Sequence, residues 1–139
     1  MNQIAIFWPM IAHVLLVYII YALMFFARRK AVRVGSAKIS QFRENRNEPP
    51  ESLFIRNNLA NQFELPVLFH AVCLALYATS GAGFLAVVLA WIFVAMRYVH
   101  AAIHVTSNRI LHRQLAFSLG TFVLGVMWIL LAVHLLQIA

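Results

Sequence analysis

Four apolar stretches, residues 4–27, 58–79, 84–105 and 114–137, each have the length of a bilayer crossing. A backbone that enters hydrocarbon must satisfy its own hydrogen bonds, so runs of this kind become helices. The chain therefore reads as one domain, residues 1–139, an all-α integral membrane protein built as a four-helix transmembrane bundle. Composition agrees: 63% of residues are hydrophobic and 11% charged, too little polar surface to cover a soluble globule. No Lys or Arg precedes the first run, so residues 4–27 read as a membrane helix and not as a removable signal. The single cysteine, Cys73, lies in an apolar run and excludes an intrachain disulfide.

The net charge of +7 sits beside the apolar runs. It reads as a topology signal and as affinity for anionic headgroups or an anionic ligand, not for nucleic acid. Ten of the eleven Lys and Arg residues fall in the 28–56 and 106–113 connections; the turn Ser80-Gly81-Ala82-Gly83 carries none. The positive-inside rule places both basic loops in the cytoplasm and both termini outside. In a bacterial cell this membrane is the inner one. Residues 28–56 are expected to form an extramembrane loop whose first half can continue the first helix past the bilayer and in which Pro49-Pro50 excludes regular helix. Pro66 is expected to kink the second span.

Glu64 is the only acidic residue in an apolar segment. A carboxylate there costs several kcal/mol unless partnered or solvated. Asn57, Asn61 and Glu64 fall at i, i+4 and i+7, one face of a continuous helix. Arg97, His100 and His104 share a face of the third span in the same way. Counting at 1.5 Å per residue puts Glu64 and Arg97 both about 9–12 Å inside the basic boundary. They are expected to pair, with Asn61 and His100 in the next layer and Asn57 and His104 at the mouth. Arg113 starts the fourth span beside that mouth. The result is a donor-lined pocket suited to an anion. His100 and His104 have a ligand-like spacing, but no cysteine pair or His-Glu-x-x-His accompanies them and Arg97 would repel a cation, so no metal is expected. His13, His70 and His134 read as isolated histidines on apolar faces.

Asn57-x-x-x-Asn61-x-x-Glu64 with Pro66 after it, then Arg97-x-x-His100 and a later Arg113, resembles the MAPEG family, the membrane-associated proteins in eicosanoid and glutathione metabolism. The resemblance implies a homotrimer that binds glutathione between subunits in the cytoplasmic half. It implies that Asn61 and Glu64 hold the tripeptide, that Arg97 supports Glu64 or a glutathione carboxylate, and that Arg113 stabilises the thiolate. The activity implied is a glutathione-dependent transferase or peroxidase acting on hydrophobic electrophiles from the lipid. The alternative is a non-catalytic membrane binding or scaffold protein that keeps the fold. Two positions depart from the family pattern: Asn57 stands where well-studied animal members carry Arg, and His104 where they often carry Tyr.

Overall fold

The computed structural model describes residues 2–43 and 47–138, so Glu44 and Arg46 of the basic loop lie outside it. Five α-helices follow in order: α1 Phe7–Arg33, α2 Pro50–Asn61, α3 Leu65–Ala78, α4 Phe84–Val105 and α5 Ile110–Ile138. Short 3-10 turns cover Gln3–Ile6 and Ile39–Arg43. With α2 and α3 taken together, four helical segments are long and apolar enough to cross a membrane. Their outer surfaces carry exposed side chains such as Trp8, Phe26, Leu111 and Phe122. Facing hydrocarbon, such side chains lose nothing by remaining uncovered.

The second span differs from expectation at both ends. Residues 50–57 are helical, not loop. Pro50 occupies the first turn, where its missing N–H would have no helical partner and its fixed φ suits the helix. Helix α2 then stops at Asn61, and Glu64 takes φ −94° and ψ −106°, outside the helical region, before α3 starts. Pro66 in the first turn of α3 starts a helix instead of kinking one. Two segments therefore replace the continuous helix 58–79. The first span opens with a 3-10 turn and its helix runs on to Arg33, into the expected loop; the third matches its expected limits, and the fourth begins earlier, at Ile110.

The apolar core lies away from the basic end. Phe69 of α3 stacks on Phe93 of α4 with centroids 4.5 Å apart, over buried Leu76, Ala86, Ala90 and Met127. Helices α4 and α5 form the most extensive helix pair. Small residues permit this: Gly120 is buried, and a Cβ there would lie 3.6 Å from Met96. Ser118 and Thr121 face outward, and Gly125 has open space around it.

Polar side chains close both ends. At the far end, Gln3 Nε2 donates to the Ser80 carbonyl at 2.9 Å, and the Ala82 N–H donates to Gln3 Oε1 at 2.8 Å. His134 Nε2 donates to the Thr79 carbonyl at 2.9 Å. At the basic end, Arg28 pairs with Glu48 through both carboxylate oxygens, at 2.9 and 2.7 Å, and Ser52 also donates to Glu48. Burial alone would raise the Glu48 carboxyl. The bonds from Arg28 and Ser52, with the Arg28 and Arg56 charges, outweigh that and hold it below its ordinary value.

Candidate functional site

The break after α2 builds the site. Where a helix stops, its last carbonyls lose their i+4 donors and need others. Arg97 of α4 supplies one: its Nη2 donates to the Asn61 carbonyl at 2.8 Å. The Arg97 side chain is 2% exposed, lies 5.9 Å from the Phe117 ring centroid, and leaves Nε without a partner among the described residues. The expected Glu64–Arg97 ion pair does not form. The chain departs from helical geometry at Glu64, so the i, i+7 relation that aligned it with Asn57 no longer holds. Glu64 ends up exposed in the pocket wall, and the guanidinium binds main chain instead.

The structure brings six of the seven expected residues to one pocket, without Arg97. Asn57, Asn61 and Glu64 from the α2–α3 segment, His100 and His104 from α4, and Arg113 from α5 line one cavity of about 500 Å³. Arg97 lies outside that lining and acts on it through the Asn61 carbonyl.

The α4–α5 turn fixes Arg113. Asn108 adopts φ +46°, a left-handed conformation that asparagine tolerates better than most residues, and its N–H reaches the Ile103 carbonyl at 2.7 Å. Its side-chain oxygen accepts from Arg113 Nη1 at 2.8 Å. The same Nη1 lies 3.4 Å from His104 Nε2. An arginine only donates, so that ring nitrogen accepts and the His104 proton resides on Nδ1. His104 Nδ1 and His100 Nδ1 are both buried without partners among the described residues. The two rings meet edge to face at 5.7 Å. The site thus offers a held guanidinium, two imidazoles, three amides (Asn57, Asn61 and Gln114) and one carboxylate around a single cavity. Such a set can grip a ligand with several charged and polar ends.

Sequence reading missed Asn108, whose part depends on backbone conformation. It also missed Gln62 and Asn58, both buried. Their i, i+4 spacing, one residue out of step with Asn57 and Asn61, was the available signal. Gln62 joins His13 and His70, which look isolated in the sequence: His13 Nε2 lies 3.3 Å from Gln62 Oε1, and His13 Nδ1 lies 3.1 Å from His70 Nε2.

No curated protein and no solved structure gives a significant match to the chain. The MAPEG family profile, in contrast, matches residues 5–133, which take in nearly all of the four spans and the whole polar pocket. The chain therefore belongs to the MAPEG family, as an integral, multi-pass membrane protein of the glutathione and eicosanoid metabolism type.

Proposed function

We propose that the pocket binds glutathione as co-substrate, holds its thiol as the thiolate beside Arg113, and presents it to a hydrophobic electrophile arriving from the lipid, as a transferase or peroxidase does. One observation carries this reading: seven polar side chains from three helical segments, Gln114 of α5 among them, converge on one cavity whose size suits a small organic ligand. Glutathione has two carboxylates, one ammonium and a thiol. Asn57, Asn61 and the imidazoles can meet its carboxylate and amide ends, and Glu64 its ammonium. Arg113 supplies the charge a sulfur anion needs. A free cysteine-type thiol has a pKa near 8.5, and a neighbouring guanidinium in a low-dielectric site lowers it. Thiolate attack on carbon forms the thioether and expels the leaving group. Attack on a hydroperoxide yields a sulfenic acid and an alcohol, and a second thiol then yields the disulfide and water.

A homotrimer fits this reading. Glu64 and Asn57 are exposed in the single chain, and a neighbouring subunit would close the pocket over them. The basic loops then face the cytoplasm, where glutathione is available.

The test is calorimetry of glutathione binding to the detergent-purified protein, with conjugation of an aryl halide and reduction of a lipid hydroperoxide as activity readouts. Saturable binding with either activity supports the proposal. Binding without activity leaves the non-catalytic reading. No binding overturns both the co-substrate and the catalytic role. Detergent-corrected light scattering measures the oligomer, and a clean monomer or dimer defeats the shared site.

A further inference from the structure

A groove of about 190 Å³ opens between α1 and α4 and shares no lining residue with the polar pocket. From α1 it takes Leu16, Ile19, Ile20 and Leu23, one face at i, i+3, i+4 and i+7. Val14, Tyr18 and Tyr21, which border the α2–α3 segment, lie on the opposite face of the same helix. From α4 it takes the side that carries Ala101 and Ala102, turned away from His100 and His104. A neighbouring subunit that closes the polar pocket over Asn57 and Glu64 therefore leaves this groove to the lipid. Ile19, Leu23 and Ala102 are exposed at its rim. The groove starts at Leu23 and Val105, beside the basic boundary, and ends at Leu16 and Tyr98, about 10 Å deeper.

Its floor is a buried amide, Asn58, whose orientation Gln62 fixes. Gln62 Nε2 lies 3.3 Å from the Asn58 main-chain carbonyl and 3.0 Å from Asn58 Oδ1. The main-chain oxygen can only accept, so the NH₂ end of Gln62 faces it; flipping the Asn58 amide would then set NH₂ against NH₂. Asn58 Oδ1 is thus committed to Gln62, which lies on the α2–α3 side of α1, and Asn58 Nδ2 turns the other way, to the groove. That nitrogen has no acceptor among the described residues. The other polar residue of the wall, Tyr98, gives its hydroxyl proton to the Ala12 carbonyl at 2.8 Å, outside the groove. An amide N–H without an acceptor is costly in apolar surroundings. A bridging water needs several polar partners, which this wall does not supply.

We propose that the groove is a second ligand site, for a membrane-dissolved, single-chain carbonyl compound whose oxygen accepts from Asn58 Nδ2. Its volume is less than half that of the polar pocket, which suits one short chain. The missing acceptor selects a carbonyl over a hydrocarbon of the same shape. The proposal does not rest on the glutathione reading.

The experiment pairs 2-nonanone with 2-methyl-1-nonene, in which a CH₂ group replaces the carbonyl oxygen, on protein purified in dodecyl maltoside. Calorimetry at fixed micelle concentration, referenced to protein-free micelles, gives both affinities. Wild type is expected to prefer the ketone by about tenfold, the size of one net hydrogen bond. Asn58→Leu keeps the shape of the floor and should bind both equally. Ala102→Phe fills the rim above an intact amide and should weaken both. Should Asn58→Leu not fold, the infrared carbonyl stretch decides on wild type: the bound ketone should absorb at lower frequency than the ketone in micelles. Equal affinity in wild type, a ketone preference that survives Asn58→Leu, an unshifted stretch, or failure of both ligands to bind overturns the proposal. Nanodiscs of ester-linked and ether-linked phosphatidylcholine should give the same ketone affinity. A loss of binding in the ester-linked discs alone means that a bulk-lipid ester holds Asn58, which overturns the single-chain occupant.

Discussion

Replacing Arg97 with Met separates two opposing effects. The substitution removes a buried guanidinium, which relieves its desolvation, and methionine fills much of the same volume. It also removes the Nη2 donor, 2.8 Å from the Asn61 carbonyl, where the helical ladder is interrupted. A hydrogen bond from a charged donor is worth about 1.5–3 kcal/mol, and an orphaned buried carbonyl costs about 1–3 kcal/mol. Among the described residues no carboxylate lies within ion-pair distance of Arg97, and the Glu64 charge acts on it only from further away. The expected net result is a destabilisation of about 2 kcal/mol, or a fall of ~5–10 °C in the melting midpoint for a chain of this size. Circular dichroism during thermal unfolding in detergent measures it. Glu64→Gln, at an exposed position, should change the midpoint little, and the double variant should be additive within about 0.5 kcal/mol. An unchanged or raised midpoint for Arg97→Met refutes the carbonyl-anchoring role. Strong non-additivity with Glu64→Gln restores the direct pair.

Arg113→Ala should reduce turnover about 10²-fold while glutathione affinity changes much less, and Arg113→Lys should recover only part, since a point charge does not reproduce the planar fork. Asn108→Gly keeps the left-handed turn but loses the acceptor that holds Arg113, so it should lower the thiolate absorbance at neutral pH without unfolding the protein. The Glu48 carboxyl is depressed in the folded chain, so the Arg28–Glu48 tether contributes fully above the unfolded carboxylate range, near 4.3, and is lost as pH falls through the folded value. Proteolysis of the 34–49 loop should therefore accelerate on acidification, and Glu48→Gln should show the fast rate already at neutral pH. Gly81→Ala would place a Cβ 2.6 Å from His134 Cδ2 and should destabilise by about 1–3 kcal/mol, whereas Gly83→Ala meets nothing within 4 Å and should be near neutral by thermal unfolding.

Much of the bundle was legible because hydrocarbon imposes a simple rule on backbone. The third span could be delimited to the residue, since the Ser80–Gly83 turn and the Thr106–Asn108 turn bound it cleanly. The limits of the second were harder to read. Pro50 can start a helix as readily as it interrupts one, and the break at residues 62–64 has only Pro66 to announce it. The polar pocket was legible in membership because Asn57 and Asn61 precede the break and keep their i, i+4 relation, while His100 and His104 sit on unbroken helix. The pairing inside it was not. Depth counting assumes straight helices, and the irregular backbone at Glu64 turned a predicted ion pair into a bond from guanidinium to main chain. The His13–His70 contact spans 57 residues and has no local signature at all.

The two ends of the bundle are fastened at different sequence distances, and this sets an order of assembly. Arg28 and Glu48 are 20 residues apart and can meet before the later spans are synthesised. The Gln3 amide must wait for Ser80 and Ala82, 77 and 79 residues downstream, and Thr79 must wait for His134, 55 residues on. The far end is therefore sealed last, after the hairpin of α3 and α4 has inserted. Until then the first residues of the chain have no hold on the bundle. An N-terminal extension that delays Gln3 would leave the Ser80–Ala82 turn without the amide that bridges it, while the Arg28–Glu48 fastening at the basic end would already be in place.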